Sequence, residues 1–266
     1  MNKSFIALWM ISLSMIGISA NSSYAQARED TVAIWLFDEG SGKTVTDSFG
    51  SHHGDIIGSL EWVDGQFGKA LQFSGTRGDY VSVPHKNSLT LSSWTITAWV
   101  KVGESKWTTP CRIFVRKANP GNVRNYSIKV LENATKPLQM EFTVGAGNFN
   151  EVFGTTTLID ESWHHIVGTY DQSVERVYLD GIMEAERAYT DKADTNTGPL
   201  TIGASFEGAC PVNGVIDDVS LFKKTLSADE IVAIMNNGLA GLAAVDATDK
   251  LVITWAALKD LALKGK

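Results

Sequence analysis

The chain has 266 residues and carries 23 Lys and Arg against 30 Asp and Glu, a formal net charge of −7 at pH 7. A negative chain without a basic run excludes a nucleic-acid surface, where clustered positive charge must neutralise phosphates. After removal of an N-terminal signal, the remaining length suits one large β domain.

Residues 1–27 have the parts of a secretory signal: Lys3, an apolar run over 5–20, and small residues at Ala25 and Ala27. Cleavage is expected after Ala27, with Ala25 as the second choice. The apolar run is short for a membrane span and nothing beyond it approaches that length, so no membrane insertion of the mature chain is expected. The expected location is secreted, periplasmic or at the cell surface. An exported chain with only Cys111 and Cys210 invites a disulfide between them. Two buried free thiols are the alternative.

Residues 31–37 form an apolar strand containing Trp35, which ends at the turn Asp38-Glu39-Gly40-Ser41-Gly42. The stretch 45–55 reads as a loop with His52 and His53 side by side. Neighbours on extended backbone point to opposite faces and do not easily share an ion, so a loop-stabilising role is expected. Strands follow at 68–73 and 79–84. In 94–102, Trp94, Ile96, Ala98, Val100 and Val102 share one face, and Thr95, Thr97, Trp99 and Lys101 the other. Trp99 could stack on sugar, but burial beneath later chain is the expectation. A loop with Trp107 then leads to strands 111–117, 125–131, 138–144 and 152–158, broken by turn residues at 119–122 and 133–137.

The runs 163–170 and 174–179 read as a β-hairpin, and Asp180-Gly181 supplies the φ > 0 turn into 182–187. Such hairpins need a second sheet to bury their apolar face. Short strands at 199–203 and 214–222 follow. Ser227 opens the one expected helix, with Glu230 as its capping-box partner, Ile231, Ile234 and Met235 on its apolar side and Gly238 at its end. The count is roughly a dozen strands. In the tail, 240–266, Leu251, Trp255, Leu258 and Leu261 fall at helical spacing.

Three stretches carry a resemblance: Trp163-His164-His165-Ile166-Val167-Gly168-Thr169-Tyr170-Asp171 with Val177-Tyr178-Leu179-Asp180-Gly181; Ile34-Trp35-Leu36-Phe37-Asp38-Glu39-Gly40; and Gly214-Val215-Ile216-Asp217-Asp218-Val219. From about residue 30 to about 238 the chain resembles the LamG-like domains of the concanavalin A-like lectin/glucanase superfamily. The resemblance implies an all-β fold: a two-sheet antiparallel jelly-roll sandwich with one short C-terminal helix and a tail. The boundaries are then 1–27 signal peptide, 28–239 jelly-roll domain, and 240–266 tail, in part helical.

That fold also hosts glycosidases, which need two carboxylates flanking the scissile bond. No Glu-x-Asp-x-Glu strand is present; Glu184 and Glu186 are spaced i, i+2 but follow a tight turn. Nor is there a nucleophile elbow, a zinc-binding helix or a phosphate loop. The expected function is non-catalytic binding, most of all of carbohydrate. The candidate ligand residues are Trp107, Asn119, Tyr126, Asn148 and Phe149, aromatics to stack on sugar and amides to bond hydroxyls. Phe206, Asn122 and Asn150 are secondary candidates. An extracellular protein-interaction or adhesion module is the alternative, and a glycoside hydrolase the least favoured. The partner is thus a glycan or a cell-surface or extracellular protein.

The resemblance further implies one structural Ca²⁺ between the first and last strands, with Asp38 and Asp217 as candidate ligands. Strand alternation points Asp217 to the apolar side with Val215, Val219 and Leu221, and leaves Asp218 solvated. The alternative is that Asp38 and Asp217 accept backbone N–H bonds in tight turns.

Overall fold

The computed structural model describes residues 26–103, 111–121, 123–131, 138–145 and 147–244. Trp107, Asn122, the signal segment 1–25 and the helical spacing read in 251–261 lie outside them. Among the described residues sixteen strands form two antiparallel sheets of eight.

The first sheet holds β1 (Thr31–Trp35), β4 (Glu61–Asp64), β5 (Lys69–Ser74), β7 (Trp94–Val102), β12 (Trp163–Tyr170), β13 (Val174–Leu179), β14 (Ile182–Ala188) and β16 (Asn213–Phe222). Their order is β14-β13-β12-β7-β16-β5-β4, with β1 also paired to β16. The second holds β2 (Thr44–Val45), β3 (Gly54–Ile57), β6 (Tyr80–Val83), β8 (Cys111–Ala118), β9 (Arg124–Leu131), β10 (Leu138–Val144), β11 (Asn148–Phe153) and β15 (Leu200–Ile202). Its order is β11-β10-β9-β8-β15-β6-β3-β2. Two of the strands absent from the expected dozen, β2 and β3, come from the stretch read as loop.

The β12–β13 and β13–β14 hairpins form as the alternation predicts, and Asp180 (φ 50°) and Gly181 (φ 78°) make the tight turn between the latter two. Facing residues of the two sheets fill one core. The Trp94 ring sits 4.9–5.8 Å from the rings of Tyr126, Phe142 and Tyr170. Gly168 lets the sheets approach, since a Cβ there would lie 2.9 Å from Met140 Sδ.

A second apolar layer lies outside the first sheet. Helix α1 (Ala228–Asn237) packs Ile231 and Ile234, with Leu226 and Leu239, against Ile34, Val167, Tyr178 and Phe222. Ser227 accepts from Glu230 N, the Glu230 carboxylate reaches back to Ser227 N, and Gly238 ends the helix, as the motif predicts. Trp99 is buried on the outward side of the first sheet between Phe67, edge-on at 6.2 Å, and His165 at 5.3 Å, so it has no sugar-stacking face to offer.

Cys111 and Cys210 are bonded, with Cα atoms 5.0 Å apart and a sequence separation of 99. Closing a loop of that length restricts the unfolded chain by roughly 4–5 kcal/mol in the chain-entropy account.

A bulge in β16 between Asp217 and Ser220 corrects the expected alternation. Ile216, Val219 and Leu221 face the core, whereas Asp217 pairs with Trp99 and so joins His165 in one transverse row on the outward side. Asp218 takes a positive φ of 44° and is buried, not solvated, with Oδ2 accepting from Leu239 N at 2.9 Å.

Candidate functional site

The polar face of the second sheet is built by the alternation of β9 and β10. Tyr126, Ile128, Val130, Met140 and Phe142 point to the core, which turns Ser127, Lys129, Gln139, Glu141 and Thr143 outward. A bulge in β8 between Ile113 and Val115 brings Arg116 opposite Ser127 on the same face. One transverse row then runs Thr201, Arg116, Ser127, Glu141, Glu151 across five strands.

Glu141 is the centre. Its Oε1 accepts from Arg116 Nη2 at 2.5 Å, and its Oε2 faces Arg124 Nη1 at 2.7 Å and Lys129 Nζ at 2.6 Å. All four side chains are nearly buried. Burial alone would raise the Glu141 carboxyl, but the three cations outweigh it and hold it below the usual range. Burial lowers Lys129 and brings Arg116 down to about 10, even with Glu141 beside them. Arg116 Nε also donates to Ser127 Oγ at 3.1 Å, which fixes the guanidinium. At the rim, Arg124 lies 4.4 Å from the ring centroid of Phe149, which is 53% exposed. Two buried polar atoms, Gln139 Oε1 and Thr201 Oγ1, have no hydrogen-bond partner among the described residues.

The sequence-derived ligand residues divide. Phe149 and Asn148 are exposed on β11, with Asn148 Nδ2 bonded to Gly145 O. Asn119 uses its Oδ1 to accept from Val123 N at 3.0 Å, shaping the turn that delivers Arg124. Tyr126 is a correction: it is a buried core residue whose hydroxyl donates to Leu89 O at 2.8 Å, because it takes an inward position of β9. Asn150 is likewise buried, donating to Glu175 Oε2. Phe206 is partly exposed in a separate turn. Trp107 lies outside the described residues. The Glu141 network was missed, although charged residues at the polar positions of otherwise apolar strands were its visible sign.

Asp38 and Asp217 do approach each other, and their carboxylates have the second of the two expected uses. Asp38 Oδ1 accepts from Lys69 N at 2.7 Å, while Asp217 accepts from Phe67 N at 2.9 Å and Asp218 N at 2.8 Å. One oxygen of Asp38 and both oxygens of Asp217 are thus used as backbone acceptors. Among the described residues no group of three or more His, Cys, Asp or Glu side chains is placed to hold a metal. Burial raises Asp217 to about 7 and Asp218 to about 8; the charge of Asp38 adds to both, and that of Asp217 to Asp218.

The histidine pairs act in structure. His52 bridges Asp47 and Ser88 at 2.9 and 2.8 Å, and His53 Nδ1 accepts from Asp47 N. His164 lies between Asp180 and Asp160, while His165 is buried and pushed down to about 4 by desolvation. Glu184 accepts from Thr155 N and Thr156 N, and Glu186 pairs with Arg176.

A family described as the concanavalin A-like lectin/glucanases superfamily matches residues 74–232. Adhesion G-protein coupled receptor V1 of Danio rerio is 26% identical over an alignment of 177 residues that covers 63% of this chain and 3% of that protein. Domain 4 of AbnA, an extracellular arabinanase of Geobacillus stearothermophilus solved in complex with arabinotriose, superposes with a TM-score of 0.61 at 18% identity. That match covers 81% of this chain and 98% of that one. The binding domain of Paraclostridial Mosquitocidal Protein 1 superposes with a TM-score of 0.62 at 14% identity, covering 79% and 52% of the two chains. At such identities the structural likeness speaks to fold.

Proposed function

This chain belongs to the concanavalin A-like lectin/glucanases superfamily, and from that premise we propose that it is a secreted, non-catalytic module that binds carbohydrate through the outward face of its second sheet. The observation that carries the reading is the face itself. It joins a nearly buried charged network, with Arg116 and Glu141 at its centre, to the exposed Asn148 and Phe149 at its rim. Sugar recognition uses such a set, hydroxyls taking the polar atoms and ring C–H surfaces the aromatic. The arabinotriose complex of the AbnA domain, matched over nearly its whole length, supports a sugar as ligand. Glu184 and Glu186, the i, i+2 pair on β14, are engaged by the Thr155 and Thr156 N–H groups and by Arg176.

A glycan array probed with the mature chain tests the reading. Binding to one glycan class, weakened by Phe149→Ala without loss of the thermal transition, is the expected result. Release of reducing sugar would replace it with hydrolysis.

The adhesion receptor relative favours a second reading, recognition of an extracellular protein. The exposed apolar residues Ile182, Met183 and Val232 would serve it. Capture of a cell-surface protein that survives Phe149→Ala but not Met183→Asp would favour that reading.

Export sets the start of the mature chain. Ala27 is fully buried in the layer beneath α1, and its carbonyl accepts from Thr31 Oγ1 at 3.1 Å. Cleavage after Ala25 retains these contacts and cleavage after Ala27 removes them, so N-terminal sequencing is expected to begin at Gln26.

A further inference from the structure

Where β7 begins and β12 ends, three chain segments meet: residues 90–92, the β12–β13 turn at Gln172, and residues 192–195. They line a cavity of about 410 Å³, a size at which small-molecule sites are found. Its walls are pinned from the interior. The buried Asn125 amide accepts from Leu91 N at 2.8 Å and donates to Leu91 O at 3.0 Å and to Asp194 O at 3.1 Å, so one side chain ties two of the segments together. The Tyr170 hydroxyl donates to Asp191 O at 2.7 Å, and Asp171 Oδ1 accepts from Ser173 N and Val174 N, which fixes the turn. Backbone held in this way need not be ordered when a ligand arrives.

Unlike the Glu141 network, this lining is open to solvent. Ser92, Lys192 and Thr195 are exposed, and Thr90 and Gln172 are half-buried, so hydroxyls, an amide and an ammonium line the cavity within reach of a ligand. Leu91 and Ala193, packed on the core, add apolar surface. Gln172 takes a φ of 69°, which glycine adopts freely and glutamine only at a cost. That conformation sets its amide Nε2 beside Ser93 Oγ, 3.4 Å away.

Hydroxyls and an amide beside a small apolar surface match a sugar ring, which exchanges bonds with the former and turns its C–H face to the latter. Asp191 and Asp194 stand on either side of Lys192 in sequence, and Asp171 precedes Gln172, so an anionic sugar meets no excess of positive charge. The same segment adjoins the rim of the second sheet. Asp194 N donates to Thr143 O at 2.7 Å, and Asp194 Oδ2 accepts from Gly147 N at 3.0 Å, in the turn that leads to Asn148 and Phe149. Resting on the carbohydrate reading above, we propose that this cavity receives the terminal residue of a neutral oligosaccharide whose following residues run toward Phe149. A cavity walled by three segments admits a chain end, where an open face takes a chain along its length.

The test is titration of the full mature chain, followed by amide NMR shifts, with arabinotriose, xylotriose, cellotriose and mannotriose and with the methyl glycosides of the same sugars. One trisaccharide or more is expected to bind and to move the amides of Ser92, Gln172 and Thr195, and its methyl glycoside to move the same amides more weakly. Gln172→Gly keeps the left-handed turn and removes the amide, so it should preserve the thermal transition and weaken both ligands about fivefold, the worth of one hydrogen bond. Phe149→Ala should weaken the trisaccharide and leave the methyl glycoside unchanged. Shifts confined to the outward face of the second sheet, or binding indifferent to Gln172→Gly, overturn the cavity and leave the carbohydrate reading standing. A trisaccharide that binds while its methyl glycoside does not overturns recognition of the chain end. Tighter binding of trigalacturonate overturns the choice of a neutral sugar. Absence of binding by every one of these ligands overturns the proposal, and an empty glycan array overturns the parent reading with it.

Discussion

The two sheets turn opposite kinds of surface outward. The first presents Val167, Tyr178 and Phe222, which α1 covers with Ile231 and Ile234. The second presents Arg116, Lys129 and Glu141, joined by ion pairs. Both follow the same period of two, and both share the core between them. The difference shows that alternation assigns each strand two faces, whereas the role of the outer face depends on what lies over it. An apolar outer face is completed by the chain's own helix, and a charged one by ion pairs among its own side chains.

The largest expected effect breaks the charged side. Glu141→Ala leaves three nearly buried cations without their shared carboxylate and should cost roughly 3–5 kcal/mol, read from denaturant unfolding. A loss below about 1 kcal/mol would mean the cluster is solvated and the contrast between the faces is weaker than drawn. Ile234→Ala probes the apolar side, where removal of a buried side chain between helix and sheet should cost about 2–4 kcal/mol. A cost like that of a surface substitution would show that α1 only rests on the sheet.

His165 sharpens the comparison through pH. It is buried on the helix-covered side and depressed to about 4 from 6.5. A depressed histidine binds its proton more weakly folded than unfolded, so its contribution is present above the unfolded pKa and lost as pH falls. Thermal midpoints should therefore drop between about pH 6.5 and 4, and His165→Gln should flatten that slope. An unchanged slope in the variant would place the titration elsewhere. The smallest effect is at the helix start: Ser227→Ala removes one half of the capping box and should cost about 1 kcal/mol, detectable as a reduced midpoint with the charged face of the second sheet unaffected.

Much of this fold is legible in sequence because its signals are local. The hairpins around Asp180-Gly181, the capping box at Ser227 and Glu230, and the core-facing set of β7 each lie within about ten residues. The Cys111–Cys210 bond was legible for another reason, since only one pairing existed. The candidate site was less so. Arg116, Lys129 and Glu141 come from three strands, and only register brings them together. Bulges in β8 and β16 shift the alternation by local backbone geometry that residue type does not announce; in β16 the shift turns Asp217 away from the core, against expectation, and Leu239 covers the Asp218 expected to be solvated. Tyr126 was misread because an aromatic among polar neighbours looks the same on a loop as on a strand whose polar side is outward.

The Cys111–Cys210 bond has a consequence for survival of proteolysis. It encloses β8 through β15 in a covalent ring, so a protease cut anywhere inside that ring opens it without releasing a fragment. The severed ends stay tethered on either side of the cystine, at a local concentration far above that of two free pieces. A nicked molecule can thus keep its sheets paired, and its lesion becomes visible as two fragments only once the sulfur bridge is reduced.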